Sequence, residues 1–168
     1  MKHRFSGNDT HKVDEKGRVS IPADFRRVLD ALDPDRDPGT QPRVHILYGD
    51  HREPWLTCLS MTEIARIGDL LDQLEDSDPR ADGLHAYYFG LVETTTLDPS
   101  GRLVLRPRLR ERAGITSRAE FMGMARTFRI YSPDAPVDAV DPLQRMISEL
   151  SADQPVRSQL PSRARPPE

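Results

Sequence analysis

The chain has 168 residues, of which 36% are hydrophobic, 15 are proline and one is cysteine, and its net charge is −3. That length gives room for one ordinary domain with a buried core or for two small ones. The lone Cys58 excludes an internal disulfide and fits a reducing cytoplasm, no apolar run approaches a membrane span, and residues 1–5 are not followed by the apolar stretch of a signal peptide.

Residues 8–13 predict a strand. Asp14-Glu15-Lys16-Gly17 predicts a turn, because Asp can accept from the backbone that follows it and Gly takes a positive φ without steric cost. Residues 18–21 predict a second strand. Pro22 suits a first helical turn, and Phe25, Val28, Leu29 and Leu32 follow at helical spacing. Residues 33–42 form a loop rich in Pro, Asp and Gly. Strands follow over 44–48 and 55–59.

Ser60-Met61-Thr62-Glu63 has the form of a capping box, with Glu63 reaching back to the cap residue. Ile64, Ile67, Leu70, Leu71 and Leu74 then mark one helical face, and 84–91 reads as a second helix. This apolar face is either core or a contact surface for another subunit. A strand near 93–97, a turn, a strand over 102–105 and a helix from Pro107 to Gly114 come next. Residues 120–124 and 127–131 predict a hairpin. Asp141-Pro142 opens a last helix, with Leu143, Met146, Ile147 and Leu150 on one face. From residue 151 onward Pro, Ser, Arg and Gln predict a mobile tail.

The second half of this order copies the first. Asp14-Glu15-Lys16-Gly17-Arg18 precedes Val19-Ser20-Ile21, and Asp98-Pro99-Ser100-Gly101-Arg102 precedes Leu103-Val104-Leu105, an offset of 84 positions. The same offset relates Phe5 to Phe89 and Arg26 to Arg110. A duplicated unit with a duplicated exposed turn suits a surface that meets something repetitive.

Net negative charge alone argues against a nucleic-acid partner, but its distribution reverses that impression. Residues 2–27 sum to +3 and residues 98–118 to +4, whereas residues 28–97 sum to −9. Cations therefore collect on the two motif segments, as a polyanion footprint requires. No catalytic constellation accompanies them. The five histidines show no paired spacing for a metal, and there is no phosphate-binding glycine loop or serine elbow. The expectation is therefore no enzyme, no cofactor, no metal and no small-molecule substrate, with a small enzyme left as a third reading because a catalytic set of non-adjacent residues leaves no linear signature.

Two readings of the Asp-x-x-Gly-Arg turn stand side by side. In one, Asp shapes the turn, Gly supplies the φ, and Arg simply pairs with the Asp. In the other, the turn projects Lys16 and Arg18 toward DNA, Arg as a planar fork for base edges and Lys as a point charge for phosphate.

The strings Phe5-Ser6-Gly7, Asp14 through Pro22, and Arg26 resemble the N-terminal signature of the MraZ transcriptional regulators, within the AbrB/SpoVT/MazE group of swapped-hairpin DNA-binding domains. Gly90, Leu97 through Leu103, Pro107, Leu109-Arg110 and Ala113-Gly114-Ile115 are similar in the second half. Three residues precede Phe5 beyond that pattern, and Pro99-Ser100 replaces the Glu15-Lys16 of the first copy. The resemblance covers roughly residues 5–150.

The resemblance implies an α+β fold of two tandem, pseudo-two-fold-related, swapped-hairpin (double-psi-like) β-barrel halves with flanking and intervening helices. The implied organisation is a first SpoVT-AbrB-like repeat over 5–59, connecting helices over 60–91, a second repeat over 92–150 and a Pro/Arg tail over 151–168. It also implies a ring-shaped homo-oligomer such as an octamer. The partner would be double-stranded DNA, as short direct repeats in the promoter of the division and cell-wall gene cluster, which the protein represses together with its own gene. It would act in the cytoplasm at the nucleoid, without a membrane.

The implied DNA contacts are Lys16, Arg18 and Arg102, with Gly17, Lys12 and Arg106 as secondary candidates and Arg108 able to compensate for the missing second lysine. Asp14, Asp98 and Gly101 set the loops, and the first loop leads. The competing reading is an antitoxin-like module that embraces a partner protein through the C-terminal segment.

Overall fold

A computed structural model describes residues 3–161 and shows an α+β chain with antiparallel pairing throughout. Its elements are β1 (Asn8–Lys12), β2 (Arg18–Ser20), α1 (Ala23–Ala31), β3 (Arg43–Leu47), β4 (Trp55–Leu59), α2 (Met61–Leu71), α3 (Ala81–His85), β5 (Val92–Thr96), β6 (Arg102–Val104), α4 (Pro107–Ala113), β7 (Arg118–Met124), β8 (Thr127–Tyr131), α5 (Val137–Val140) and α6 (Pro142–Glu149). A π-helical turn over Ala86–Gly90 continues α3. Contacts group the chain into a unit ending at Ala135 and a second starting at Pro136.

In the first unit the two sequence copies exchange strands. The six-stranded sheet runs β1-β7-β8-β4-β3-β5, and β2 pairs with β6 in a separate ribbon. Exchanging each first-copy strand for its second-copy counterpart reverses this order and leaves it unchanged. β1 pairs with β7 and its counterpart β5 with β3, while β4·β8 and β2·β6 pair counterparts directly.

One core serves both copies. Val13, Val19, Ile21 and Phe25 from the first copy are buried with Leu97, Leu103, Leu105 and Leu109, their partners at the repeat offset. Phe5, Phe25, Phe121 and Phe128 add an aromatic centre, with ring centroids of Phe5 and Phe128 at 4.9 Å. Aromatic rings at such spacing gain beyond simple area burial. The counterpart of Phe5 does not share this fate: Phe89 lies on the π-helical turn and is half exposed.

The connecting helices are core in part. Ile64, Ile67 and Leu71 are buried on α2 with Leu47 and Leu59 beneath them. Leu70 is half exposed, against the expectation for that face. Successive helical residues diverge by about 100°, so Leu71 and Leu70 cannot both face the sheet squarely. Ser60 caps α2 by accepting from the Glu63 N–H at 3.1 Å. The reciprocal arm of the expected capping box is replaced: the Glu63 carboxylate holds the Arg66 guanidinium at 2.6 and 3.0 Å.

In the second unit, Asp141 caps α6 by accepting from the Leu143 N–H at 2.9 Å, and Pro142 occupies the first turn. The short helix α5 before it was not anticipated. Leu143 and Ile147 lie on a half-exposed face. Of the expected tail, residues 151–161 are exposed and include a 3-10 turn over Val156–Gln159. Residues 162–168 lie outside the described residues.

Candidate nucleic-acid interface

The two Asp-x-x-Gly-Arg turns are near-duplicates in atomic detail. Asp14 Oδ1 accepts from the N–H groups of Lys16 and Arg18 at 3.0 and 2.9 Å. Asp98 Oδ1 accepts from those of Ser100 and Arg102, both at 2.9 Å. Each turn closes when the Gly N–H donates to the Asp carbonyl, at 2.9 Å in both copies. Gly17 and Gly101 have φ of 79° and 74°, the left-handed region that glycine enters without cost. Asp14 and Asp98 are thus the acceptors of their turns, and Gly101, like Gly17, takes the positive φ.

The turns are also locked to each other. The Gly17 carbonyl accepts from the Leu105 N–H at 2.7 Å, and the Gly101 carbonyl from the Ile21 N–H at 3.2 Å. Beneath them sit the duplicated arginines, crossed over. Arg110 lies under Gly17, and Arg26 lies under Gly101. The Nε atoms of Arg26 and Arg110 are buried without a hydrogen-bond partner. Sequence reasoning matched this pair at the repeat offset but gave it no role.

Both motif arginines pair with their own turn aspartate. Arg18 Nε donates to Asp14 Oδ2 at 2.6 Å, and Arg102 Nε to Asp98 Oδ2 at 2.8 Å. The structural half of the two sequence readings is thus present. It does not exhaust the guanidinium: among the described residues the pairing uses Nε, and the side chains are 37% and 36% exposed. Hydrogen bonding from the Arg18 N–H, helped by the guanidinium, holds the Asp14 carboxyl below its usual range, and Arg102 does the same to Asp98.

In the β2·β6 ribbon Val19 faces Leu103, and both point into the core. Arg18 stands opposite Val104, and Arg102 opposite Ser20. Strand alternation puts these four on the outer face, with the two arginines diagonal to each other. The two loops of one chain thus deliver their arginines to one surface.

The remaining candidates divide. Lys16 and Arg106 are exposed, Lys16 on its turn and Arg106 just before α4, and Gly17 is buried by the crossing backbone. Lys12 ends β1 directly opposite Arg118 on β7. Arg108 is otherwise engaged, donating to the Tyr48 hydroxyl at 3.0 Å and lying over that ring at 5.6 Å. Arg118 escaped the sequence reading because its place depends on a pairing between strands over a hundred residues apart.

A cleft of about 560 Å³ joins these groups, lined by Lys12, Val13, Asp14, Arg18, Ser20, Arg102, Ser117 and Arg118. Four of these residues are cationic and one, Asp14, is acidic. Among the described residues, no cluster of His, Cys, Asp and Glu could hold a metal ion, and no helix is long and apolar enough to cross a membrane.

Curated relatives share most of this chain. A protein of Ruegeria sp. named "Transcriptional regulator MraZ" is 42% identical over 134 residues, covering 80% of each chain. A protein of the same name from Cereibacter sphaeroides is 38% identical over 141 residues, covering 80% of this chain and 83% of its own. One from Gluconobacter oxydans is 32% identical over 131 residues, covering 78% and 77%. No family model matches the chain.

Proposed function

The chain belongs to the MraZ family of transcriptional regulators, and from that premise we propose that it regulates transcription by binding double-stranded DNA in a sequence-specific way. The observation that carries this reading is the shared outer face of the β2·β6 ribbon, where Arg18 and Arg102 stand diagonal to each other and each is tied to its turn through Nε. A guanidinium held by its Nε is oriented in advance, and its remaining fork matches a guanine edge or a phosphate. Lys16 on the adjacent turn adds a mobile charge.

In the finer form of the proposal, the two copies are swapped-hairpin barrel halves over 5–59 and 92–150. The protein assembles as a ring-shaped homo-oligomer. It represses the division and cell-wall gene cluster, together with its own promoter, through short direct repeats. It works in the cytoplasm at the nucleoid, as a regulator and not as an enzyme. Ring assembly would repeat the ribbon surface at fixed intervals, so that adjacent DNA repeats are met with avidity.

A mobility-shift titration with duplex DNA from upstream of the gene itself tests this, run beside a light-scattering mass. Retardation by wild type, and by Arg18→Ala only at clearly higher protein concentration, is the expected result. Equal retardation by both would remove Arg18 from the interface, and no retardation by wild type would end the DNA-binding reading.

A further inference from the structure

The basic cleft is not symmetric between the copies, although the backbone around it is. The Val13 N–H donates to the Ser117 carbonyl at 2.8 Å, and its counterpart, the Leu97 N–H, donates to the Pro42 carbonyl at 3.0 Å. Next along the ladder Lys12 pairs with Arg118, and in the equivalent corner Thr96 pairs with Arg43. Arg118 and Arg43 thus occupy matching positions.

Their chemistry differs. Arg43 is held by the buried carboxylate of Asp33, with Nη2 to Oδ1 at 2.6 Å and Nε to Oδ2 at 3.1 Å. Its charge is neutralised in place. Its neighbour Thr96 brings no charge. Arg118 and Lys12 are both exposed, face the same cleft, and have no ion-pair partner among the described residues. Two like charges placed opposite each other on a ladder cost stability unless something offsets them.

We infer that Lys12, Arg118 and the flank of Arg18 and Arg102 form a seat for a backbone phosphate of duplex DNA, present once per chain on the first-copy side. This rests on the DNA-binding reading and refines it. The seat fixes the register of the duplex, while Lys16 and the arginine forks meet base edges. Because the Arg43 corner is neutralised, the chain presents a polar surface with one phosphate-holding side. A polar surface suits repeats that all run in the same direction.

The test is a binding titration of the full-length protein across a salt series. It uses the upstream duplex and a scrambled duplex of equal length. Lys12→Gln and Arg118→Gln should each weaken both duplexes by the same factor, and each should lower the slope of log K on log salt by about 0.9. Arg118→Lys should restore most of the slope, and Arg80→Gln, which removes a charge paired to Asp78 far along the chain, should change neither. Matching melting temperatures would separate lost contact from lost fold. An unchanged slope in Arg118→Gln, or a loss confined to the upstream duplex, would overturn the seat while leaving the DNA-binding reading intact. If wild type bound neither duplex, the DNA-binding reading and the seat would fall together.

Discussion

Gly17 and Arg110 belong to different copies of the repeat, yet the Arg110 guanidinium carbon lies 3.3 Å from where a Cβ on Gly17 would sit, and the Leu105 carbonyl oxygen lies 2.2 Å from it. The first motif is therefore closed from beneath by the second copy. A methyl group here meets backbone, which cannot turn aside. Gly17→Ala should cost about 1–2 kcal/mol for the positive φ and about 1–3 kcal/mol more for overpacking. At Gly101 the obstacle is the Arg26 side chain, with Nη1 2.2 Å away, which can shift. Gly101→Ala should thus be the milder variant in a denaturant titration. The reverse ranking would contradict the crossed packing.

Arg18→Ala and Arg102→Ala should leave the melting temperature nearly unchanged, since exposed ion pairs add little to stability. Each should weaken specific DNA binding by about 1–3 kcal/mol, roughly fivefold to 150-fold. Asp14→Asn should weaken binding less than Arg18→Ala, because an amide oxygen still accepts from the turn. Binding isotherms for the three proteins decide the order, and a stronger loss in Asp14→Asn would make loop shape the dominant factor.

Asp33→Ala removes the acceptor of the Arg43 backbone N–H at 2.9 Å and of its guanidinium. The Asp33 side chain is fully buried, so the orphaned donors should cost about 1–3 kcal/mol. The Arg43 guanidinium holds the Asp33 carboxyl below its usual value of 3.8. That contribution is complete above the unfolded value and fades as pH falls through the lower folded one. Acid titration of wild type against Asp33→Ala should show the difference between the two proteins shrinking in that window.

His45 is buried at 6% exposure, with Nε2 at 2.9 Å from the Tyr88 carbonyl and Nδ1 at 2.7 Å from the Thr94 hydroxyl. A carbonyl only accepts, so Nε2 carries the proton and Nδ1 accepts from Thr94. Burial lowers the pKa of the ring below 6.5. The unfolded chain therefore takes up the proton first, and stability falls as pH drops through about 6.5 until the folded pKa is passed. Thermal unfolding between pH 8 and 5 should show a decline that His45→Asn flattens. An equal decline in that variant would assign the effect elsewhere.

Local chemistry made much of this legible. Asp14 and Gly17 announced their turn, and Pro22 and Ser60 their helix starts. The repeat offset matched Arg26 to Arg110 before their position was visible. Contacts decided by distant partners stayed hidden. Nothing near Arg108 signals that Tyr48 would engage it. Of the two readings of Arg18, the pairing with Asp14 through Nε is present, and contact with DNA is the one proposed above. Lys12 was named, but its neighbour Arg118 was not, since only the pairing of β1 with β7 brings them together.

That pairing also sets a timetable. Asn8 bonds in register with Met122 and Lys12 with Arg118. As the chain leaves the ribosome, β1 must wait for β7, at ordinary synthesis rates a delay of roughly 5–20 seconds. Until β5 and β6 have emerged, β2 lacks its partner and β3 has only β4, because the missing strands come from the second copy. Neither copy can finish folding alone, so a gene cut between them would yield two fragments that are useful only in each other's company.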